Sequence, residues 1–434
     1  MTKKLKIDEL YFFLYDKHEI MFLLRHKKGS VIMEKTKEKK KNWILPRHRI
    51  ITEIVRCILT PVVWFMYGIR PEKFADQGDR AYLILYNHQT AFDQFFVGCS
   101  FKGPVYYMAT EDIFSLGWIS KVLRWLVAPI PIRKQTTDIN AVMNCIKVAR
   151  EGGTIAIAPE GNRTYSGRTE YMNPAIAGLA RKLKLPIAIY RIEGGYGVQP
   201  RWSDGTRRGK MRSYVSRVIE PEEYAGLSAD QLGELIKKEL YVDENVADGL
   251  YKSNKRAEYL ERCIYVCPFC GLSELESHGN EITCKKCGKT VLYGEDKRLK
   301  GIGFDFPFKF VGQWYDYQND FINSLDVTAM TQEPLYRETA RLSEVIVYQK
   351  KVVLDKNCTV SLYGDRVALW DLVLPFSEIT AATCLGKNKL NIYHGKQVYQ
   401  LKGSKRFNAM KYMNIYFRYK NISKGDCDNH FLGI

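Results

Sequence analysis

From residue 45 to about 222 the chain alternates short apolar runs with helical stretches, and few folds accept that pattern. The apolar runs are 83–86, 105–108, 129–132, 154–158, 186–190 and 211–219, and residues 139–149 and 175–183 read as helices between them. Short apolar runs bounded by turn formers suit strands buried on both faces. Strands that alternate with helices build an α/β layer with a largely parallel sheet. Ser228 and Gln231 then open a further helix through Leu240 with a Ser-x-x-Gln capping pattern. Residues 246–262 are polar and charged, a linker or connecting helix.

Two loops in this region carry chemistry. The first is Asn87-His88-Gln89-Thr90-Ala91-Phe92-Asp93, directly after the run 81–86. A histidine at the end of a buried strand is held rigidly. A carboxylate within reach fixes its tautomer and stabilises the imidazolium, which leaves the other ring nitrogen free as a base. Five helical positions rotate about 140° around the axis, so the pairing needs His88 in the turn before a helix and Asp93 in its first turns. The second loop is Ala158-Pro159-Glu160-Gly161-Asn162-Arg163-Thr164-Tyr165-Ser166-Gly167, again after an apolar run. Its glycines and small polar residues expose backbone N–H groups, and Arg163 adds a planar cationic fork; both suit phosphate.

Together and in this order, the two loops resemble the glycerolipid acyltransferase family typified by 1-acyl-glycerol-3-phosphate acyltransferase. Its NHxxxxD block is matched by Asn87, His88 and Asp93, and its EGxR block by Glu160, Gly161 and Arg163, with Pro159 before them. Two weaker blocks are 130–133, ending in Arg133, and 185–189. The resemblance covers residues 45–220. Ala158 stands where an aromatic is common and Asn162 where Thr is common, and residues 191–197 follow no pattern of the family. The resemblance implies a fatty acyl group moved from an acyl thioester, on coenzyme A or acyl-carrier protein, to the hydroxyl of a lysophosphatidate or glycerol-phosphate acceptor. His88 is then the general base and Asp93 its orienting partner. Arg163 seats the acceptor phosphate in a loop shaped by Glu160 and Gly161, and Arg133 is a second phosphate contact. Backbone N–H groups at the helix start after His88 are the expected oxyanion donors.

Net charge is +18 and the pI near 9.2, which point to an anionic partner surface. Lys35, Lys37, Lys39, Lys40 and Lys41 precede an apolar stretch, 50–69, interrupted by Glu53, Arg56 and Pro61. Its uncharged part, 57–69, falls short of the roughly 20 residues of a spanning helix. With Trp43, Trp64 and Tyr67 at or near its ends, it reads as a helix lying in the interface of an anionic leaflet, peripheral or monotopic on the cytoplasmic face. Residues 1–44 form a basic segment with one apolar patch, 10–14, and no secretion signal is visible in them.

Of eleven cysteines, four form the pairs Cys267-x2-Cys270 and Cys284-x2-Cys287, thirteen residues apart, with Gly288 turning the second knuckle. The pattern predicts a closed, structural zinc ribbon over residues 262–292, with His278 a loop residue outside the ligand set. Residues 299–425 alternate apolar and polar positions, with strands predicted at 345–349, 359–363, 366–370, 390–393 and 397–401 and a helix at 408–419. Turns fall at Asp365, 386–388 and 395–396. By pattern this mostly-β domain resembles pleckstrin-homology-like modules. The sequence thus divides into a basic segment (1–44), an α/β acyltransferase domain (45–245), the ribbon and the β-rich domain.

Two rivals stand beside the enzyme. One is a catalytically silent membrane adaptor on the same fold, against which the intact His88, Asp93 and Arg163 argue. The other is a nucleic-acid binder using Lys285, Lys286 and Lys289, which leaves both loops unexplained; no nucleic acid is expected.

Overall fold

The computed structural model describes residues 21–27, 30–36, 42–110, 113–115, 118–132, 138–346 and 351–425. Arg133, the apolar patch 10–14 and the lysines at 37–41 lie outside them. The chain forms two units, Met1–Trp43 and Ile44–Ile434. In the first, β1 (Met21–Lys27) and β2 (Ser30–Thr36) make an antiparallel hairpin, registered from Met21 opposite Thr36 to Lys27 opposite Ser30.

The second unit begins with helix α1 (Pro46–Tyr67), which has Pro at its first turn. Gly68 ends it in a left-handed conformation (φ 68°), returning its N–H to the Trp64 carbonyl. The core that follows is β3 (Leu83–Tyr86), α2 (Asp93–Ser100), β4 (Val105–Thr110), α3 (Trp118–Val127), β5 (Ile130–Ile132), α4 (Ile139–Arg150), β6 (Thr154–Ile157), α5 (Ala175–Leu183), β7 (Ile187–Glu193), α6 (Gly195–Val198) and β8 (Arg212–Ile219). Strand order is β5-β4-β6-β3-β7-β8, parallel except for β8 against β7. The predicted largely parallel α/β sheet is what forms. The central strands β3 and β6 are buried at every position, which is why their sequences are continuous apolar runs rather than alternating ones. Parallel pairing also forces both strands to end on the same side of the sheet, so the His88 and Arg163 loops emerge side by side.

After α7 (Pro221–Tyr224), helix α8 (Ala229–Leu240) starts with the predicted reciprocal cap. Ser228 Oγ accepts from Gln231 N at 3.1 Å, and Gln231 Oε1 accepts from Ser228 N at 2.9 Å. Residues 246–259 form no helix, and only a short 3-10 turn, Leu260–Arg262, precedes the cysteines. The ribbon has two small strands, β9 (Val266–Cys267) and β10 (Gly271–Leu272), and a four-stranded antiparallel sheet of β11 (Leu275–His278), β12 (Glu281–Cys284), β13 (Thr290–Tyr293) and β14 (Leu299–Gly301).

Helix α9 (Val311–Ser324) leads into a seven-stranded antiparallel sheet: β15 (Tyr336–Glu344), β16 (Val352–Leu362), β17 (Arg366–Leu369), β18 (Leu372–Pro375), β19 (Ile379–Leu385), β20 (Lys389–His394) and β21 (Gln397–Gly403). Its order is β18-β17-β16-β15-β21-β20-β19, and helix α10 (Met410–Ser423) follows. The predicted hairpin turns sit between strands as expected. Of the strand predicted at 345–349, Val345 and Ile346 follow the end of β15 at Glu344 and 347–349 lie outside the described residues; β15, β18 and β19 were not anticipated. Their register is fixed by neighbours rather than by clean alternation, as β19 shows with four consecutive buried residues.

One hydrophobic core joins the ribbon, α9, the β-rich sheet and α10, and it reaches back to Tyr165 and Trp202 of the α/β layer. A loop residue two positions beyond Arg163 is therefore packed into the C-terminal half of the molecule.

Candidate active site

Asp93 is the first residue of α2, where a carboxylate also meets the positive end of the helix. It is fully buried. Its Oδ2 accepts from His88 Nδ1 at 2.7 Å, Gln89 N at 2.7 Å and Thr90 N at 3.0 Å, and its Oδ1 accepts from Thr90 Oγ1 at 2.6 Å. The arrangement is the one required by the five-residue spacing: histidine in the turn, aspartate in the first helical turn. With Nδ1 bonded to a carboxylate, the ring proton sits there and Nε2 is the nitrogen left to accept. Burial lowers the His88 pKa from its ordinary 6.5; Asp93 opposes the shift, while Arg163 and Arg201 add to it. His88 is neutral, and able to act as a base, at physiological pH.

The two loops clasp each other. Glu160 Oε1 accepts from His88 N at 2.7 Å, and Thr164 N donates to the His88 carbonyl at 3.0 Å. Glu160 is therefore committed to the histidine's backbone, and burial raises its pKa well above the carboxylate range. Gly161 turns the loop at φ 68°, a conformation that disfavours a side chain. Asn87 completes the fastening from the other side, donating to the Ile192 carbonyl at 2.8 Å and accepting from Ile192 N at 2.7 Å.

Arg163 lies in the field of Asp93, His88 and Tyr67, and its NH1 nitrogen is buried without a hydrogen-bond partner among the described residues. Burial and the neighbouring Arg201 pull its pKa down to about 10. A guanidinium held this way, short of one partner, is prepared for an anion.

Of the expected oxyanion donors, the four amides between His88 and the first residue of α2 are engaged. Gln89 N and Thr90 N bond to Asp93, Ala91 N bonds to Gln199 Oε1 at 3.0 Å, and Phe92 N bonds to Thr90 Oγ1 at 3.1 Å. Two of these four amides build the Asp93 cradle, and the other two are taken by the Gln199 side chain and the Thr90 hydroxyl.

Several supporting residues carried no readable signal. Gln89 accepts from Tyr196 N at 3.1 Å and donates to Glu244, which also accepts from Gly194 N and from Lys297. A Cβ on Gly195 would stand 2.6 Å from Gln89 Oε1, so the unassigned segment 191–197 is a close-packed floor under the His88 loop. Tyr67 of α1 donates to Gln199 at 3.1 Å and packs on Phe92 and Phe96. The glycines alone hinted at such a floor.

The four cysteine sulfurs all lie within 4.8 Å of one another. Four thiolates about 2.3 Å from a central zinc would be about 3.8 Å apart, so the cluster fits a tetrahedral ion. His278 is exposed and faces Glu276, away from the ligand set.

Helix α1 runs unbroken through Pro61 for 22 residues and is long and apolar enough to cross a membrane, which corrects the expectation drawn from its uncharged part alone. One face of it is nevertheless fastened to the α/β layer. His48 Nδ1 lies 3.0 Å from Tyr106 Oη, Arg56 bonds the carbonyls of Gly98, Phe101 and Gly103, and Val63 and Tyr67 are buried. The other face exposes Ile50, Ile54, Ile58, Trp64 and Phe65, the last 85% accessible. Arg47 bonds the Trp125 carbonyl and stacks on its ring, placing α1 beside α3, whose Trp118, Val122 and Trp125 are also exposed.

Residues 69–192, which hold both loops and the strands β3 to β7 up to Ile192, match the model of the family described as Acyltransferase. The segment that carries the candidate site is thus acyltransferase-like. Among solved structures, the 1-acyl-sn-glycerophosphate (LPA) acyltransferase PlsC from Thermotoga maritima is similar at 17% identity, over 44% of this chain and 78% of that one, with a TM-score of 0.36. No curated protein matches the chain.

Proposed function

We propose that the protein transfers a fatty acyl group from an acyl thioester to the hydroxyl of a lysophosphatidate-type acceptor. The observation that carries this reading is the His88–Asp93 pair, with Nε2 left to accept, clasped against a loop whose Arg163 has a buried NH1 nitrogen without a hydrogen-bond partner among the described residues. His88 Nε2 takes the proton from the acceptor hydroxyl as its oxygen attacks the thioester carbonyl carbon. Asp93 stabilises the imidazolium that forms. The carbon–sulfur bond then breaks, and the departing thiolate takes the proton back from His88, giving ester and free thiol. No enzyme-bound acyl intermediate is needed, because the acceptor oxygen is itself the nucleophile. Arg163 holds the acceptor phosphate by a two-pronged, charge-assisted contact. Acyl-CoA and acyl-carrier protein are both compatible donors.

The exposed faces of α1 and α3, flanked by Arg47, Arg49, Lys121 and Arg124, support docking on the surface of an anionic membrane, where such an acceptor resides. Fastening of the opposite face of α1 favours lying in the interface over crossing it. The four cysteines hold a structural zinc; a site with four thiolate ligands is closed to substrate, so its contribution is folding energy. The seven strands and final helix support a pleckstrin-homology-like reading of the C-terminal part.

The deciding experiment is a mass-spectrometric screen of purified protein with acyl-CoA against lysophosphatidate, glycerol 3-phosphate and lysolipids with other headgroups. Wild type acylates a phosphate-monoester acceptor, and His88→Ala does not while melting as wild type does. Near-normal turnover in His88→Ala removes the base assignment. No acyl product from any acceptor with wild type returns the chain to the silent-adaptor reading.

A further inference from the structure

The C-terminal sheet touches the candidate site directly. Arg201, 2% exposed, donates from NH1 to the Arg163 carbonyl at 2.9 Å and from NH2 to Asn162 Oδ1 at 3.4 Å. The same guanidinium bonds the Cys384 carbonyl at 3.3 Å, at the end of β19, and approaches the Gly386 carbonyl at 3.5 Å in the β19–β20 turn. It stacks on Tyr165 at 4.1 Å. One buried arginine thus ties the phosphate loop to a turn more than 180 residues away.

The next residue of that turn is Lys387. Its Nζ lies 3.0 Å from Asp204, which also receives Arg262 at 2.7 Å. Among the described residues Asp204 is its one hydrogen-bond acceptor, which leaves two of the ammonium's three donors. The turn itself is fixed, because Asn388 donates to the carbonyls of Gly403 and Ser404. Lys387 also lies in the field of Arg163. Arg163, Arg201 and Lys387 are therefore gathered around one loop; burial and Arg201 lower the pKa of Arg163, and burial with Arg163 and Arg262 lowers that of Lys387 against the pull of Asp204. Asp204 is already shared between two cations. An arrangement of like charges with a buried, unpaired guanidinium nitrogen is relieved by an anion.

We propose that the β19–β20 turn completes the acceptor site, with Lys387 a direct contact to the phosphate monoester and Arg201 the positioning residue that aims Arg163. This rests on the acceptor assignment above. The C-terminal sheet then selects the acceptor headgroup instead of being a separate appendage.

The test compares Lys387→Gln, Lys387→Arg and Asp204→Asn in the full chain. Lys387→Gln raises the KM for lysophosphatidate roughly ten- to a hundred-fold, the worth of one charge-assisted hydrogen bond, with kcat and the acyl-CoA KM little changed. Lys387→Arg restores most of it. Asp204→Asn removes the same ion pair but leaves the acceptor KM within about two-fold, although it lowers the melting temperature, since Arg262 also loses its carboxylate partner and keeps only the Trp202 and Lys405 carbonyls and a neutral amide. An independent readout is thermal stabilisation by glycerol 3-phosphate over glycerol at matched ionic strength, present in wild type and lost in Lys387→Gln. An unchanged acceptor KM in Lys387→Gln, an equal defect in Asp204→Asn, or a defect confined to acyl-CoA overturns the proposal. A wild-type chain that shows Lys387-dependent stabilisation by glycerol 3-phosphate but transfers no acyl group upholds the anion site and removes only the enzymatic reading.

Discussion

Replacing Asp93 with Asn tests the site with little disturbance to its shape. The cradle receives the amide in one good orientation. The amide oxygen takes the place of Oδ2, still accepting from His88 Nδ1, Gln89 N and Thr90 N, and the NH2 takes the place of Oδ1, where it gives up the second, shared bond from Thr90 N and faces a Thr90 hydroxyl that can rotate to accept. The tautomer of His88 is preserved and the fold is kept. What is lost is the negative charge beside the imidazolium of the transition state. For charge centres about 4 Å apart at an effective dielectric constant of about 20, that attraction is about 4 kcal/mol. At about 1.4 kcal/mol per decade the rate falls on the order of 10³-fold. The assay is thiol release from acyl-CoA with lysophosphatidate, with a thermal melt confirming the fold. Turnover above about a tenth of wild type would falsify the claim that Asp93 stabilises a charged His88. Asp93→Ala is the contrasting variant: it strands the Gln89 and Thr90 amides in a buried cradle and loses stability as well, about 2–4 kcal/mol.

The lowered pKa of His88 sets the pH profile: the base is neutral above its pKa and lost as pH falls through it, so kcat/KM has an acid limb with a midpoint below 6.5. Arg163→Gln removes a cation that lowers this pKa, and the midpoint must move up; a downward move contradicts the electrostatics. Arg163→Lys keeps the charge but loses the planar fork, so acceptor KM rises while acyl-CoA KM holds; an equal defect with an acceptor lacking phosphate defeats the phosphate role. Metal analysis should find one zinc per chain, and Cys270→Ser should lower it and speed hydrogen exchange across residues 263–292, whereas metal-free protein with normal stability rejects the site. Binding to liposomes should rise with anionic lipid and fall with salt, as screening within roughly 10 Å at 0.1 M requires, leaving a salt-resistant part that Trp64→Ser with Phe65→Ser removes. Protease protection of one terminus inside sealed vesicles would show that α1 crosses instead.

The sequence by itself determined the α/β layer and the two loops that define the candidate site. Strands buried on both faces must be continuous apolar runs, so β3 and β6 were legible, and the five-residue step from His88 to Asp93 permitted one geometry. The four-cysteine cluster was equally local, being two short knuckles of fixed spacing. What sequence could not supply is any relation between residues whose partners are distant along the chain. Gln89, Gln199 and Arg201 are ordinary polar residues in a sequence, and only packing makes them the supports of the site. The engagement of the amides just before α2 is of the same kind: a free N–H there is a local expectation, and Gln199, more than a hundred residues away, takes the one on Ala91. The apolar length of α1 was readable, yet whether it crosses or lies flat depends on His48, Arg56 and Tyr67 fastening one side of it. The same holds for the C-terminal sheet. Its strands announce themselves by alternation, but that a turn in it reaches the loop of Arg163 was decided by a core shared between the two halves, with Tyr165 in it, because burial rewards whichever apolar surfaces meet and records nothing of that choice in local sequence.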